Sequence, residues 1–158
     1  MTQPTNLDHQ IVISLNQDAR LSSAEIARQL DVPERTVRYR IARLIEEDMI
    51  RPVAVVNPAA FGYNLVIDVF CEIDTARQTE IVTLLQAMPE VSYIAFATGD
   101  QDISFQAFFK SSEAMHHFIT ERLRQIPGIG RTRTVLVPRI VKDTHSWLPV
   151  AEDFEPDE

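Results

Sequence analysis

From Leu7 to Ile50 apolar residues recur at helical spacing. Leu7, Ile11 and Leu15 form one stripe, which the polar run "NQDAR" breaks. "SSAEIARQL" restarts it, with Ser22 as N-cap, Glu25 three residues on as its capping-box partner, and Ile26, Ala27 and Leu30 facing inward. After the turn "LDV", Pro33 suits the first turn of a third helix, where a missing N–H costs nothing. Val37, Ile41, Leu44 and Ile45 carry that helix to about Asp48. Helices this short are marginal alone, so the pattern predicts one packed three-helix unit.

The pattern then changes period. "IRPVAVV" reads as an extended segment, with Pro52 suited to an edge strand or wing. "NPAAFG" reads as one helical turn, capped by Asn57, opened by Pro58 and closed by Gly62. Beyond it, "YNLVIDVFCEID" is strand-like and "ARQTEIVTLLQAM" helical, with Ile81, Leu84, Leu85 and Met88 on one side. "VSYIAFATGDQDISFQAFFK" predicts two strands about a turn at Gly99 and Asp100. "SSEAMHHFITERLRQI" predicts a helix ended by Pro127 and Gly128, before a last strand in "TRTVLVPRIV". The order β-α-β-β-α-β is that of the ferredoxin-like split unit.

The fold class is therefore α+β, an N-terminal winged helix-turn-helix domain followed by a C-terminal ferredoxin-like βαββαβ domain. The expected boundaries are 1–56 for the first domain with its short wing, 57–63 for a linker, 64–143 for the second domain and 144–158 for an acidic tail. Both parities of the strands are rich in apolar residues. Leu65, Ile67, Val69, Cys71 and Ile73 alternate with Val66 and Phe70, and Ile94, Phe96, Phe108, Val135 and Val137 repeat the theme. Helices on one face would leave a wide apolar patch on the other. Pairing of two sheets in a homodimer is the leading expectation, and a different strand register is its rival.

Charge refines this picture through its distribution. The 158-residue chain carries a formal net charge of −8, which taken alone argues against a nucleic-acid partner. Yet Glu34 to Arg43 holds four arginines against one acid, whereas the end of the chain from Asp143 holds six acids and no Lys or Arg. No run approaches the roughly 20 apolar residues of a membrane helix, and the start lacks the basic and apolar pattern of a signal peptide. A cytoplasmic protein with no membrane partner is the expectation. Lone Cys71, in an apolar run, reads as a small buried hydrophobe.

At about 100° per residue, Arg35, Tyr39 and Arg43 lie nearly opposite the apolar stripe of the third helix, and Arg38 and Arg40 flank it. A helix docked by one side and offering Arg, Tyr and Thr36 on the other has what a recognition helix needs in a major groove. Guanidinium groups can fork onto phosphate or read guanine, and Tyr39 can donate to phosphate. The competing reading is a solvated charged face shared with Glu46 and Glu47.

"DARLSSAEIARQLDV", "VRYRIARLIEEDMI", "NPAAFGY", "TGDQD" and "VKDTHSWLP", in this order and after the "LD" at the start, resemble the Lrp/AsnC (leucine-responsive/asparagine-synthesis) regulator family from about Leu7 to Pro149. The resemblance implies a double-stranded-DNA-binding transcriptional regulator whose second domain dimerises, often assembles to tetramers or octamers, and senses an amino acid or related metabolite. By position it implies a DNA-facing set of Ser22, Ser23, Arg35, Thr36, Arg38, Tyr39, Arg40 and Arg43. Pro33 stands where the family usually places a capping serine. The turn Gly99, Asp100, Gln101 and Asp102 is similar to the family's effector loop, with Thr132 and Thr134 as further candidates. By spacing alone the same residues are those of an ordinary hairpin turn.

No catalytic set emerges, and no cofactor or metal is expected. His116 and His117 are adjacent, so on a helix they diverge by about 100° and cannot share a metal as an i, i+4 pair could. Neither a nucleophile elbow nor a phosphate loop is present. Haem-pathway decarboxylases share this two-domain architecture and bind a tetrapyrrole using histidine in the second domain, but the matching strand "VSYIAFATG" has none. A DNA-independent adaptor is the remaining alternative.

Overall fold

The computed structural model describes residues 3–157. The chain divides into two compact units, Met1–Val55 with Lys142–Glu158, and Val56–Val141. In the first unit α1 (Asn6–Gln17), α2 (Ser23–Leu30) and α3 (Glu34–Glu46) pack on Ile11, Ile26, Ala27, Val37 and Leu44. Full burial of one large apolar side chain contributes about 1.5–3 kcal/mol, enough to hold helices that would fray alone. The start of α2 is the expected capping box: Ser22 N–H donates to Glu25 Oε2 at 2.8 Å, and Glu25 N–H donates to Ser22 Oγ at 3.3 Å. Asp31, at φ 54°, closes α2 in the left-handed region. Pro33 then opens α3, its carbonyl accepting from Thr36 N–H at 2.9 Å and Val37 N–H at 3.3 Å.

Two local expectations change. Ile45 is 42% exposed, so the inward stripe of α3 is Val37, Ile41 and Leu44. Among the described residues no strand forms at 51–56; the expected wing is irregular, and Val53, Val55 and Val56 are exposed. β-branched composition favours a strand only where a partner ladder exists, and none of the described residues supplies one. The joint that follows forms as its residues dictate: Pro58–Phe61 is a 3₁₀ turn, Asn57 Oδ1 accepts from Ala59 N–H at 3.1 Å, and Gly62 closes it at φ 85°.

The second unit contains β1 (Leu65–Ile73), α4 (Gln78–Gln86), β2 (Val91–Phe96), β3 (Ile103–Phe109), α5 (Ser112–His117) and β4 (Ile129–Leu136). The helix of α5 continues through a π-turn at Phe118–Arg122 and a 3₁₀ turn at Leu123–Gln125. The sheet is antiparallel in the order β2-β3-β1-β4. One parity of the central strands, Ile67, Val69 and Cys71 with Ile103, Phe105, Ala107 and Phe109, packs against Ile81, Leu85, Phe118 and Leu123. Both helical segments therefore cover the same face. Burial pushes the Cys71 thiol up to about 12, so it stays protonated and unreactive near neutral pH.

The other face is mixed, which corrects the expectation of apolar residues on both parities. Val66, Phe70 and Phe108 alternate there with Asp68, Ser104 and Gln106. Gln106 Nε2 donates to Asp68 Oδ1 at 2.9 Å, and the Arg133 guanidinium lies 4.7 Å from the Phe70 ring centroid. No helix among the described residues is long and apolar enough to cross a membrane.

The C-terminal stretch is not the separate solvated tail that its acids imply. It turns at Thr144–Ser146 and Ala151–Asp153 and packs with the first unit. Trp147 is 66% exposed, and the docking contacts come from the His145 carbonyl, Phe154, Glu155 and Asp157.

Candidate functional site

The eight residues proposed for DNA separate into groups. Arg35 and Tyr39 are exposed on the first turns of α3, Tyr39 at 65%, and Thr36 is half-buried beside them. Arg38 is also exposed, and it pairs with Glu34 one turn back along the helix. That pair is solvent-screened and holds the guanidinium weakly, so Arg38 remains available to a stronger anion.

Arg40 and Arg43 have a different place. Arg40 Nη1 donates to Asp8 Oδ2 at 2.9 Å and to Thr5 Oγ1 at 2.9 Å, and Arg43 Nη2 donates to the same Asp8 oxygen at 2.6 Å. Asp8 is fully buried, and the two arginine side chains are only 21% and 12% exposed. This corrects the assignment of Arg40 and Arg43 to a free cationic face. The reason is angular: Arg40 sits only about 60° from Val37 around the helix, on the flank that α1 covers. Removing these arginines from water without Asp8 would be costly, and with it they become a structural clamp.

Ser22 and Ser23 stand at the start of α2. The Ser22 hydroxyl is committed locally, donating to Glu25 Oε2 at 2.6 Å while accepting from Glu25 N–H, and the bonds that the Ser22 hydroxyl and N–H donate hold the Glu25 carboxyl below its ordinary range. Ser23 is half-buried at the first helical position.

In the second unit, Gly99 and Asp100 are exposed at the tip of the β2–β3 connection, with Gly99 at φ 138°. Gln101 is half-buried. Asp102 does something else: its Oδ2 accepts from Ile73 N–H at 2.8 Å, tying the loop to the end of β1. Cys71 pairs with Ile103 on one side and Thr132 on the other, which puts Thr132 about 10 Å across the sheet from the loop's end. Thr134 pairs with Val69, further from the loop. The structure thus places Gly99, Asp100 and Thr132 toward one end of the sheet, with Thr134 two residues further along the same face of β4. No group of three or more metal-ligating side chains occurs among the described residues, and none of the four histidines lies on the sheet.

Asp8 is the residue that the reading of arginines missed. A signal for it exists: position 8 precedes Ile11, Val12 and Leu15 at i+3, i+4 and i+7, so an acid stands on an inward stripe and needs cationic partners. Arg40 and Arg43, one turn apart, meet that need.

Comparison with known proteins gives a consistent result. Residues 5–51 match the model described as winged helix-turn-helix DNA-binding, and residues 68–147 match the Lrp/AsnC ligand binding domain. An HTH-type transcriptional regulator of Pyrococcus horikoshii is 35% identical over 137 residues, 86% of this chain and 87% of that one. The regulator FL11 of Pyrococcus furiosus is 31% identical over 146 residues, covering 92% and 95%. Among solved structures, AsnC of E. coli aligns with a TM-score of 0.81 at 24% identity over 89% of this chain and 97% of that one. A Neisseria meningitidis transcriptional regulator solved with L-Met aligns with a TM-score of 0.84 at 23% identity, over 90% and 94%. At that identity the two structures speak for the fold.

Proposed function

The chain belongs to the Lrp/AsnC family of helix-turn-helix transcriptional regulators with a ligand-binding domain, and from that premise we propose that it is a homodimer reading a roughly palindromic DNA site in the cytoplasm. Arg35, Thr36, Arg38 and Tyr39 enter the major groove, and Ser22 and Ser23 approach the backbone at the start of α2. Arg40 and Arg43 hold the reading helix in place. The observation that carries this reading is the division of α3 into an exposed first half and an anchored second half. A recognition helix presents its N-terminal residues to base edges, the half left free here.

Dimerisation uses the uncovered sheet face, where Val66, Phe70 and Phe108 supply apolar area and the Asp68–Gln106 pair supplies polar groups that fix alignment. The effector is an amino acid or related metabolite bound near Gly99, Asp100 and Thr132, with further assembly of dimers as the quantity it shifts. The neighbour solved with L-Met supports this ligand class. The exposed Asp100 carboxylate suits the ammonium group of such a ligand, and exposed backbone N–H groups of the turn suit its carboxylate.

Selection of duplexes from a random-sequence pool, followed by titration of the selected duplex at several salt concentrations, tests the DNA reading. The expected result is one enriched motif and an affinity that falls steeply with salt. Recovery of no motif overturns it. Thermal shift and sedimentation with each common amino acid test the effector reading, because a ligand selective for the folded state must raise its melting temperature.

A further inference from the structure

The first N–H groups of any helix lack partners within the helix. In α1 two of them are taken from outside. Asn6 N–H donates to the Glu155 carbonyl at 2.8 Å, and Leu7 N–H donates to Asp157 Oδ2 at 3.0 Å. Glu155 N–H donates in return to the Pro4 carbonyl at 2.9 Å, completing a parallel bridge between Thr5 and Glu155. Phe154 stacks on His9 with ring centroids 4.5 Å apart. At the far end of α1, Asn16 Nδ2 donates to the His145 carbonyl at 3.3 Å. The C-terminal segment therefore runs along α1 from its last turn back to its first. Asp157 there meets the positive end of the helix dipole, a setting that favours a carboxylate.

The turn so held carries Asp8. Thr5 N–H donates to Asp8 Oδ2 at 2.8 Å, and the same oxygen receives Arg40 and Arg43. One unbroken set of contacts thus joins Phe154–Asp157 to α1, α1 to Asp8, and Asp8 to α3.

We propose that the acidic C-terminal segment is a strap that positions the recognition helix, with Asp8 as the positioning residue through which it acts. This rests on the DNA reading above. A helix with side chains is about 10–12 Å across, so a rotation of roughly 20° moves its surface by about 2 Å. Hydrogen bonds to base edges do not survive such a shift, whereas attraction to phosphate barely notices it. Loosening the strap should therefore reduce specific binding and leave non-specific binding alone.

The test compares the full chain with a version lacking residues 151–158, using a duplex selected by the full chain and an unselected duplex at the same salt. The expected result is an affinity for the selected duplex about tenfold lower, an unchanged affinity for the unselected one, and recovery when a peptide of residues 151–158 is added in trans. An unchanged ratio overturns the proposal, as does a parallel rise in both affinities, the mark of a tail that merely repels DNA. A parallel fall in both, the mark of a destabilised domain, overturns it too. Hydrogen exchange supplies an arm independent of DNA. The Asn6 and Leu7 amides should exchange at least tenfold faster without the segment, and equal rates mean that no strap exists. If the full chain selects no duplex, the DNA reading fails while the exchange rates still report on the strap.

Discussion

The two halves of α3 are made of the same materials and do opposite things. In the first half Arg35 and Arg38 stand in solvent, one paired only along its own helix. In the second half Arg40 and Arg43 close on a buried carboxylate contributed by α1. Residue type does not separate them; the neighbour does. A screened surface pair contributes about 0–1 kcal/mol, whereas removing one partner of a buried pair costs about 3–5 kcal/mol. Four arginines within one helix thus divide into those free to serve a ligand and those without which the helix loses its seat.

The largest test of that contrast is Asp8→Ala, which takes the carboxylate from two partly buried guanidinium groups and leaves Arg40 only the Thr5 hydroxyl. Urea unfolding should show a loss of about 3 kcal/mol, and a loss below about 0.5 kcal/mol, the usual surface range, would erase the distinction. Next is Arg35→Ala, expected to weaken binding of a selected duplex by about 1–3 kcal/mol and to relax base preference at one position, with no change in melting temperature. A mutant that binds as wild type removes Arg35 from the reading face. Glu34→Gln sharpens the comparison from the other side. By releasing Arg38 it should tighten DNA binding a few-fold while stability moves by less than about 0.5 kcal/mol; unchanged binding would place Arg38 away from the duplex.

The smallest effect concerns acid. Hydrogen bonds from Ser22 hold the Glu25 carboxyl below its ordinary range. A depressed carboxylate contributes stability that is present above its unfolded value, about pH 4.3, and is lost as pH falls through the lower folded value. Helical content followed by circular dichroism should therefore begin to fall at a higher pH in Glu25→Gln than in wild type. Superimposable acid profiles would show that this cap contributes nothing measurable.

Much of the architecture was legible along the chain because its causes are local. Ser22 and Glu25 are three residues apart, Asn57 and Gly62 bracket one turn, and the strand and helix periods differ. The β-α-β-β-α-β order follows from them. The strand-like residues at 51–56 form no strand, because a strand needs a partner and they find none among the described residues. The sheet's second face was misjudged because Asp68, Ser104 and Gln106 share it only once β1 and β3 are in register. Of the candidate sites, the exposed face of α3 could be drawn on a wheel, but its edge could not, since the wheel does not say which flank α1 will cover.

What the sequence determined by itself is the set of elements, their caps, their order and the family, all encoded within a few turns of each residue. Tertiary structure alone decided the fate of the charges. Asp8 meets Arg40 and Arg43 across 32 and 35 residues, and Leu7 meets Asp157 across 150. An ionised side chain takes its role from the groups that replace its water, and over such separations only the folded chain determines which groups those are.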